Sequence, residues 1–186
     1  MTKKTKIILV SSLVILLCAG VCVTLAFMFR RDGVNNSFFA AKVSCKLHEG
    51  LDGATVTGGT AYGTKKHSIT VENTGNTKAF VRVRLTSHWV DEDGNVIGHG
   101  SKIPTVVLKD GWFSDGDSTF YFEKALSPGE LSDIMCEPLL LVSEIRADGT
   151  VLYQAIELSA EAIQATPETA VLEGWGVTSS GDTLIH

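Results

Sequence analysis

Ala79-Phe80-Val81-Arg82-Val83-Arg84-Leu85-Thr86-Ser87-His88-Trp89-Val90 decides the fold class of this chain. Ala79, Val81, Val83, Leu85 and Trp89 fall on one side of a period of two, and Arg82, Arg84, Thr86 and His88 on the other. Strict alternation over this length is a half-buried β-strand, because successive side chains of a strand point to opposite faces. Asp91-Glu92-Asp93-Gly94-Asn95 and then Val96-Ile97 follow at once. Asp-Gly between apolar runs predicts a hairpin turn.

The same grammar extends outward. Val151–Ala165 alternates Ile156, Leu158, Ala160 and Ala162 against Glu157, Ser159 and Glu161, and the turn Ala147-Asp148-Gly149-Thr150 feeds it from the apolar run Leu139–Ile145. Shorter strands are expected at Lys42–His48, His67–Glu72 and Thr119–Glu123, with Gly-rich connectors at Gly50–Gly63 and Asp110–Asp117. Many short strands separated by turns predict an all-β sandwich or barrel. Two short helical insertions are expected. One place, Gly129–Met135, reads as a short turn or helix after Ser127-Pro128. The other starts at Thr166-Pro167-Glu168, with Thr as cap, Pro first and an acid in the first turn, and ends near Gly174.

The N-terminus follows different rules. Ile7–Phe29 carries no charge and lies between Lys3, Lys4, Lys6 and Arg30, Arg31. A spanning helix needs about 20 apolar residues. The segment reads as an apolar leader helix that carries the rest of the chain across a membrane, with the N-terminus cytoplasmic. Thr24-Leu25-Ala26 supplies a small residue for cleavage between Ala26 and Phe27, whereas the length of the run suits a retained anchor. Residues 1–26 are therefore a signal peptide or membrane anchor, 27–41 an extended segment, and 42–186 the β domain.

Composition excludes several functions. The chain has 16 Lys+Arg and 21 Asp+Glu, and three of those lysines and no acid lie in the first 26 residues. The remainder is 13 against 21, a net of −8, which repels nucleic acid and anionic lipid. Cys18 and Cys22 lie in the leader; Cys45 and Cys136 alone would reach an oxidising compartment, where a disulfide between them is one option. No HExxH, GxSxG, P-loop or GxGxxG occurs, and His48, His67, His88, His99 and His186 have no ligand spacing. No catalytic residue, cofactor site or metal site is therefore assigned. His88, on the polar face of its strand, reads as solvated. Asp91, Asp93 and Asn95 offer oxygens to calcium, but the turn itself explains those residue types. Trp89, Trp112 and Trp175, with Phe113, Phe120, Tyr121 and Phe122, read as packing or as a carbohydrate platform.

Several patterns in order resemble one family. Leu25-Ala26-Phe27 closes the leader, and Asn35-Asn36-Ser37-Phe38-Phe39-Ala40-Ala41 leads into the strand Lys42–Leu47. Then come Val71-Glu72-Asn73-Thr74-Gly75-Asn76, Leu126-Ser127-Pro128-Gly129-Glu130, Ala160–Ala165 and Glu173-Gly174-Trp175-Gly176. The whole is similar to the TasA/camelysin family of Gram-positive exported proteins. The resemblance implies a jelly-roll-like β-sandwich, cleavage by a dedicated signal peptidase, and a secreted or cell-surface place in a biofilm matrix, where some relatives form fibres. It favours cleavage after Ala26 over a retained anchor. Camelysin relatives have been classed as metallopeptidases, and no matching ligand set stands in this sequence.

The function expected is thus structural: self-association, or association with other matrix proteins, by strand addition. In that reading Phe38, Phe39 and Val43 form the assembly strand, and one of the two adjacent phenylalanines is its anchor. A camelysin-like metallopeptidase and a membrane-anchored module binding sugar or protein are the alternatives.

Overall fold

The structure, a computed structural model, describes residues 3–5, 40–55, 60–97 and 100–186. Most of the leader, the Ala26–Phe27 cleavage point, Phe38 and Phe39 lie outside these residues. Among the described residues no helix is long and apolar enough to cross a membrane. Two compact units are distinguished, Met1–Phe39 and Ala40–His186. The second unit holds every strand described here.

That unit is built from antiparallel β-sheets. Its elements are β1 (Cys45–Asp52), β2 (Lys65–Asn73), β3 (Ala79–Val90), β4 (Trp112–Ser114), β5 (Thr119–Phe122), β6 (Leu139–Leu140), β7 (Ser143–Ile145), β8 (Val151–Gln164), helix α1 (Thr169–Trp175), β9 (Thr178–Ser180) and β10 (Thr183–Ile185). The larger sheet has the order β4-β5-β3-β8-β7, a second has β1-β2-β6, and β9 and β10 form a hairpin. The alternating stretch that opened the reading is β3, and it pairs with β8 from Ala79↔Gln164 to Val90↔Tyr153.

The core follows from the period of two. Val81, Val83 and Leu85 of β3 and Ile156 of β8 pack against Ile69 and Val71 of β2, together with Trp112, Phe120 and Phe122. The two sheets therefore face each other across a shared core. Each buried side chain of this size contributes about 1.5–3 kcal/mol by leaving water.

The opposite face of β3 departs from the expected solvated surface. Phe80, Phe113, Tyr121, Val171 and Leu184 form a second cluster there, because α1 and the C-terminal hairpin cover that face. Arg82 is only 8% exposed. Its guanidinium lies 4.7 Å from the Trp175 ring centroid, and its Nε and Nη2 donate to Glu161 Oε2 at 2.9 and 2.6 Å. The arginine stays on the polar side of the strand yet is roofed by an aromatic ring.

Other expectations are corrected. Of the turn or helix expected at Gly129–Met135, a turn forms at Pro128-Gly129 and no helix follows: Ser132 and Met135 donate their N–H groups to Val71 and Ile69 carbonyls, so the segment lines the edge of β2. The run Leu139–Ile145 crosses between sheets, as β6 pairs with β2 and β7 with β8. Helix α1 begins at Thr169, and its N-cap residue Glu168 makes no capping bond. The Glu168 carboxylate instead accepts from Gly181 N–H at 2.7 Å, tying the helix start to the C-terminal hairpin. Gly176 closes the helix at φ 73, its N–H donating to Leu172 O, a left-handed position that glycine takes without Cβ strain.

Candidate functional site: an open seam between two sheet edges

β8 is far longer than its outer neighbour. β7 pairs only with Val151–Tyr153, and the last bond across that edge runs from Gln154 N–H to Val142 O at 2.9 Å. Backbone groups of successive strand residues point alternately to the two sides. Ala165 N–H donates to Lys78 O on the β3 side, so odd-numbered residues of β8 serve β3. Ile156, Leu158, Ala160, Ala162 and Gln164 therefore turn their N–H and C=O groups away from it. Among the described residues one group meets that edge: Lys66 Nζ donates to Ile156 O at 2.6 Å.

β1 presents a second edge. Its partner is β2. Ser44 O accepts from Thr74 N–H, and Asp52 O from Thr64 N–H, both on the β2 side. Cys45, Leu47, Glu49 and Leu51 consequently direct their backbone groups outward, and no described strand pairs with them. β1 and β8 approach to Cα separations within 8 Å. The two unpaired edges thus lie along the same flank, one from each sheet.

Two hollows open along this seam. The first, about 550 Å³, is lined by Glu49, Leu51, Lys66, Thr86, Ile156 and Glu157 among others. Lys66 is 5% exposed, and its ammonium also bonds Glu49 at 3.1 Å. The side of His88 nearest Glu157 is close by: its Nε2 is buried, stands 3.8 Å from Glu157 Oε1 and has no hydrogen-bond partner among the described residues, so this histidine is enclosed rather than solvated. The second hollow, about 510 Å³, is lined by Val43, Ala162, Ile163, Gln164, Ala170, Glu173 and Gly174.

The incoming chain is lashed beside the second hollow. Ala40 O accepts from Asn76 Nδ2 at 3.1 Å, and Lys42 N–H donates to Asn76 Oδ1 while Lys42 O accepts from Asn76 N–H. The Asn73-Thr74-Gly75 turn makes this possible. Asn73 is fully buried; its amide nitrogen donates to Thr77 O and Leu126 O at 2.8 Å, and its Oδ1 accepts from Gly75 N–H. At Gly75 a Cβ would lie 2.3 Å from Lys42 O, so the close approach needs glycine. Val43, one of the three residues assigned to an assembly strand, is held here against its own domain.

The remaining candidates separate. Cys45 and Cys136 are free thiols. Cys45 pairs with Asn73 on one side of β2, while the segment holding Cys136 flanks Ile69 on the other. Two strand spacings and at least four residues of rise put them roughly 15 Å apart, far beyond the span of a disulfide. The expected pairing option is closed by the register. Burial pushes the Cys136 thiol up to about 11, and burial followed by the charge of Glu161 raises that of Cys45. Asp91 is committed to its turn, accepting from Asn95 Nδ2, Asn95 N–H and Asp93 N–H at 2.8–3.0 Å, and these bonds, that of the Asn95 side chain first, hold its carboxyl below the usual range. Among the described residues no three His, Cys, Asp or Glu side chains converge as a metal site. Trp112, Phe113, Phe120, Tyr121 and Phe122 are buried and serve as packing.

Lys66 was not legible as a site residue. Counting by twos from Ile69 and Val71 sends it outward. β2 carries an extra residue, since His48↔Thr70 is followed by Gly50↔His67, and Ser68 sits at φ 54. This bulge reverses the parity and turns Lys66 inward. No protein-family model, curated protein or solved structure matches this chain.

Proposed function

We propose that this chain is an exported, non-enzymatic, jelly-roll-like β-sandwich that builds the cell surface or biofilm matrix by strand addition. The observation that carries the reading is the seam, where the edges of β8 and β1, without a strand partner among the described residues, lie side by side. A long bare edge is a template for another strand.

The occupant is residues 27–41 of a neighbouring copy. That segment holds Arg30 and Arg31 against one acid, Asp32, and the hollows of the seam are lined in part by Glu49, Glu157 and Glu173. Phe38 or Phe39, being adjacent, can send one ring inward, and the hollow beside Ala162 and Gly174 is an apolar receptacle for it. Before cleavage the leader holds the chain at the membrane; afterwards its partners are copies of itself or other matrix proteins.

Negative-stain imaging of the secreted protein tests this. Filaments that vanish on deletion of residues 27–41, with the domain still folded, are the expected result. Filaments that persist in the deletion refute the mechanism. A monodisperse monomer favours the membrane-anchored binding module, and zinc-dependent proteolysis the camelysin-like enzyme.

A further inference from the structure

We infer that Lys66 is a register stop, which caps the β8 edge at Ile156 and confines an added strand to Leu158–Gln164. The inference rests on the strand-addition reading above.

The edge of β8 is divided into three stretches. Val151–Gln154 is taken by β7 and the Val142 carbonyl. Ile156 O is taken by the Lys66 ammonium at 2.6 Å. Leu158, Ala160, Ala162 and Gln164 have no partner on that side among the described residues. An incoming strand can bond these four, and at Ile156 it meets a charged donor already seated on the acceptor it needs.

The lysine is held for this task from both ends. Its neighbours across the sheet, Leu51 and Leu139, face the interior with it. Its stem is therefore enclosed, and the ammonium crosses from one sheet to the edge of the other. Glu49, on β1, binds it at 3.1 Å and fixes its direction. An ammonium has three donors and no acceptor, so it satisfies the Ile156 carbonyl but cannot continue a β ladder. Inward-pointing charge is a known guard against uncontrolled edge pairing. Extending the added strand past Leu158 would displace the ammonium and strand both it and Glu49 in the gap.

Amide hydrogen exchange on the full chain in detergent micelles, with and without a synthetic peptide of residues 27–41, tests this. In the wild type, Leu158, Ala160, Ala162 and Gln164 should slow by at least about tenfold in the protected state, while Ile156 keeps its rate. In Lys66→Met, which keeps the stem and loses the donor, protection should extend to Ile156. Lys66→Arg should restore the wild-type boundary, and Glu49→Gln, which leaves the ammonium on the carbonyl, should keep it. Unchanged protection of β3 amides verifies that each variant is folded; should Lys66→Met fail this check, Lys66→Ala takes its place. Protection of Ile156 in the wild type, or the same boundary in wild type and Lys66→Met, overturns the register stop and leaves strand addition standing. No protection anywhere in Leu158–Gln164 overturns both.

Discussion

Removing Glu161 should cost this domain more than removing its buried partner. The Arg82 side chain is 9% exposed and that of Glu161 39%. Glu161→Leu leaves a guanidinium enclosed under Trp175 with its two charged hydrogen bonds gone. Stranding a fully buried charge costs about 3–5 kcal/mol. The retained stacking on Trp175 offsets about 1 kcal/mol of that, so about 2–4 kcal/mol is expected. Arg82→Met leaves instead a carboxylate that water can reach and that Arg84 still meets at 3.4 Å. Its cost should be about 1–2 kcal/mol, from lost charged bonds partly replaced by apolar packing. The double variant Arg82→Met/Glu161→Leu removes both charges and should lie within about 1 kcal/mol of wild type. Urea denaturation of the four proteins gives the cycle. For a chain of this size Glu161→Leu should lower Tm by roughly 4–16 °C. Additive costs, or a larger loss from Arg82→Met, would refute the reasoning, since both outcomes mean that the enclosed charge is not what the carboxylate satisfies.

Two further outcomes follow from the titrating groups. The carboxyls of Asp52, Asp91 and Asp148 are held low, chiefly by bonds from the Lys65 side chain, the Asn95 side chain and the Thr150 backbone. Folded values below unfolded ones mean stability that is full above about pH 4 and lost as pH falls through the folded values; Asp52→Asn/Asp91→Asn/Asp148→Asn should flatten the acid limb of urea midpoints, and an unaltered limb would sink the assignment. With the Cys136 thiol pushed up to about 11 by burial, Cys136 should resist iodoacetamide at about pH 8 until the domain is unfolded; a Cys45–Cys136 disulfide found by mass spectrometry under non-reducing conditions would contradict the β-sheet register.

Local chemistry made much of this fold legible. β3 matches the alternating stretch residue for residue because one face is apolar throughout, and β8 follows for the same reason. The turn at Asp91–Asn95 was legible from Asp and Gly, whose side-chain bonds and left-handed freedom act within the turn itself. What escaped was set by distance in sequence. The covering of Arg82 depends on Trp175, more than ninety positions away. Leu139–Ile145 reads as one apolar run, but its two halves serve opposite sheets. The inward turn of Lys66 hangs on one extra residue at Ser68, which no periodicity reveals. The seam itself is a mismatch of lengths between β8 and β7, and strand order is not written in either segment alone.

That mismatch also explains where protection against stray pairing was needed. β4 and β7, at the two margins of the larger sheet, are three residues each, too short to template much. β1 and β8 are eight and fourteen residues long, so brevity cannot guard them. β8 moreover carries Ala160 and Ala162 where an interior strand would gain from Val or Ile. Both alanines are partly buried beside the core rather than closed over by it. Small residues leave space along a strand edge, and in the strand-addition proposal the hollow at Ala162 is the volume that would receive the side chains of another strand. A sealed domain would fill the gap with its own branched side chains and would have no use for a charged lysine reaching across it. Under the strand-addition proposal, an edge paired over part of its length needs both features: space along Leu158–Gln164, and a stop at Ile156.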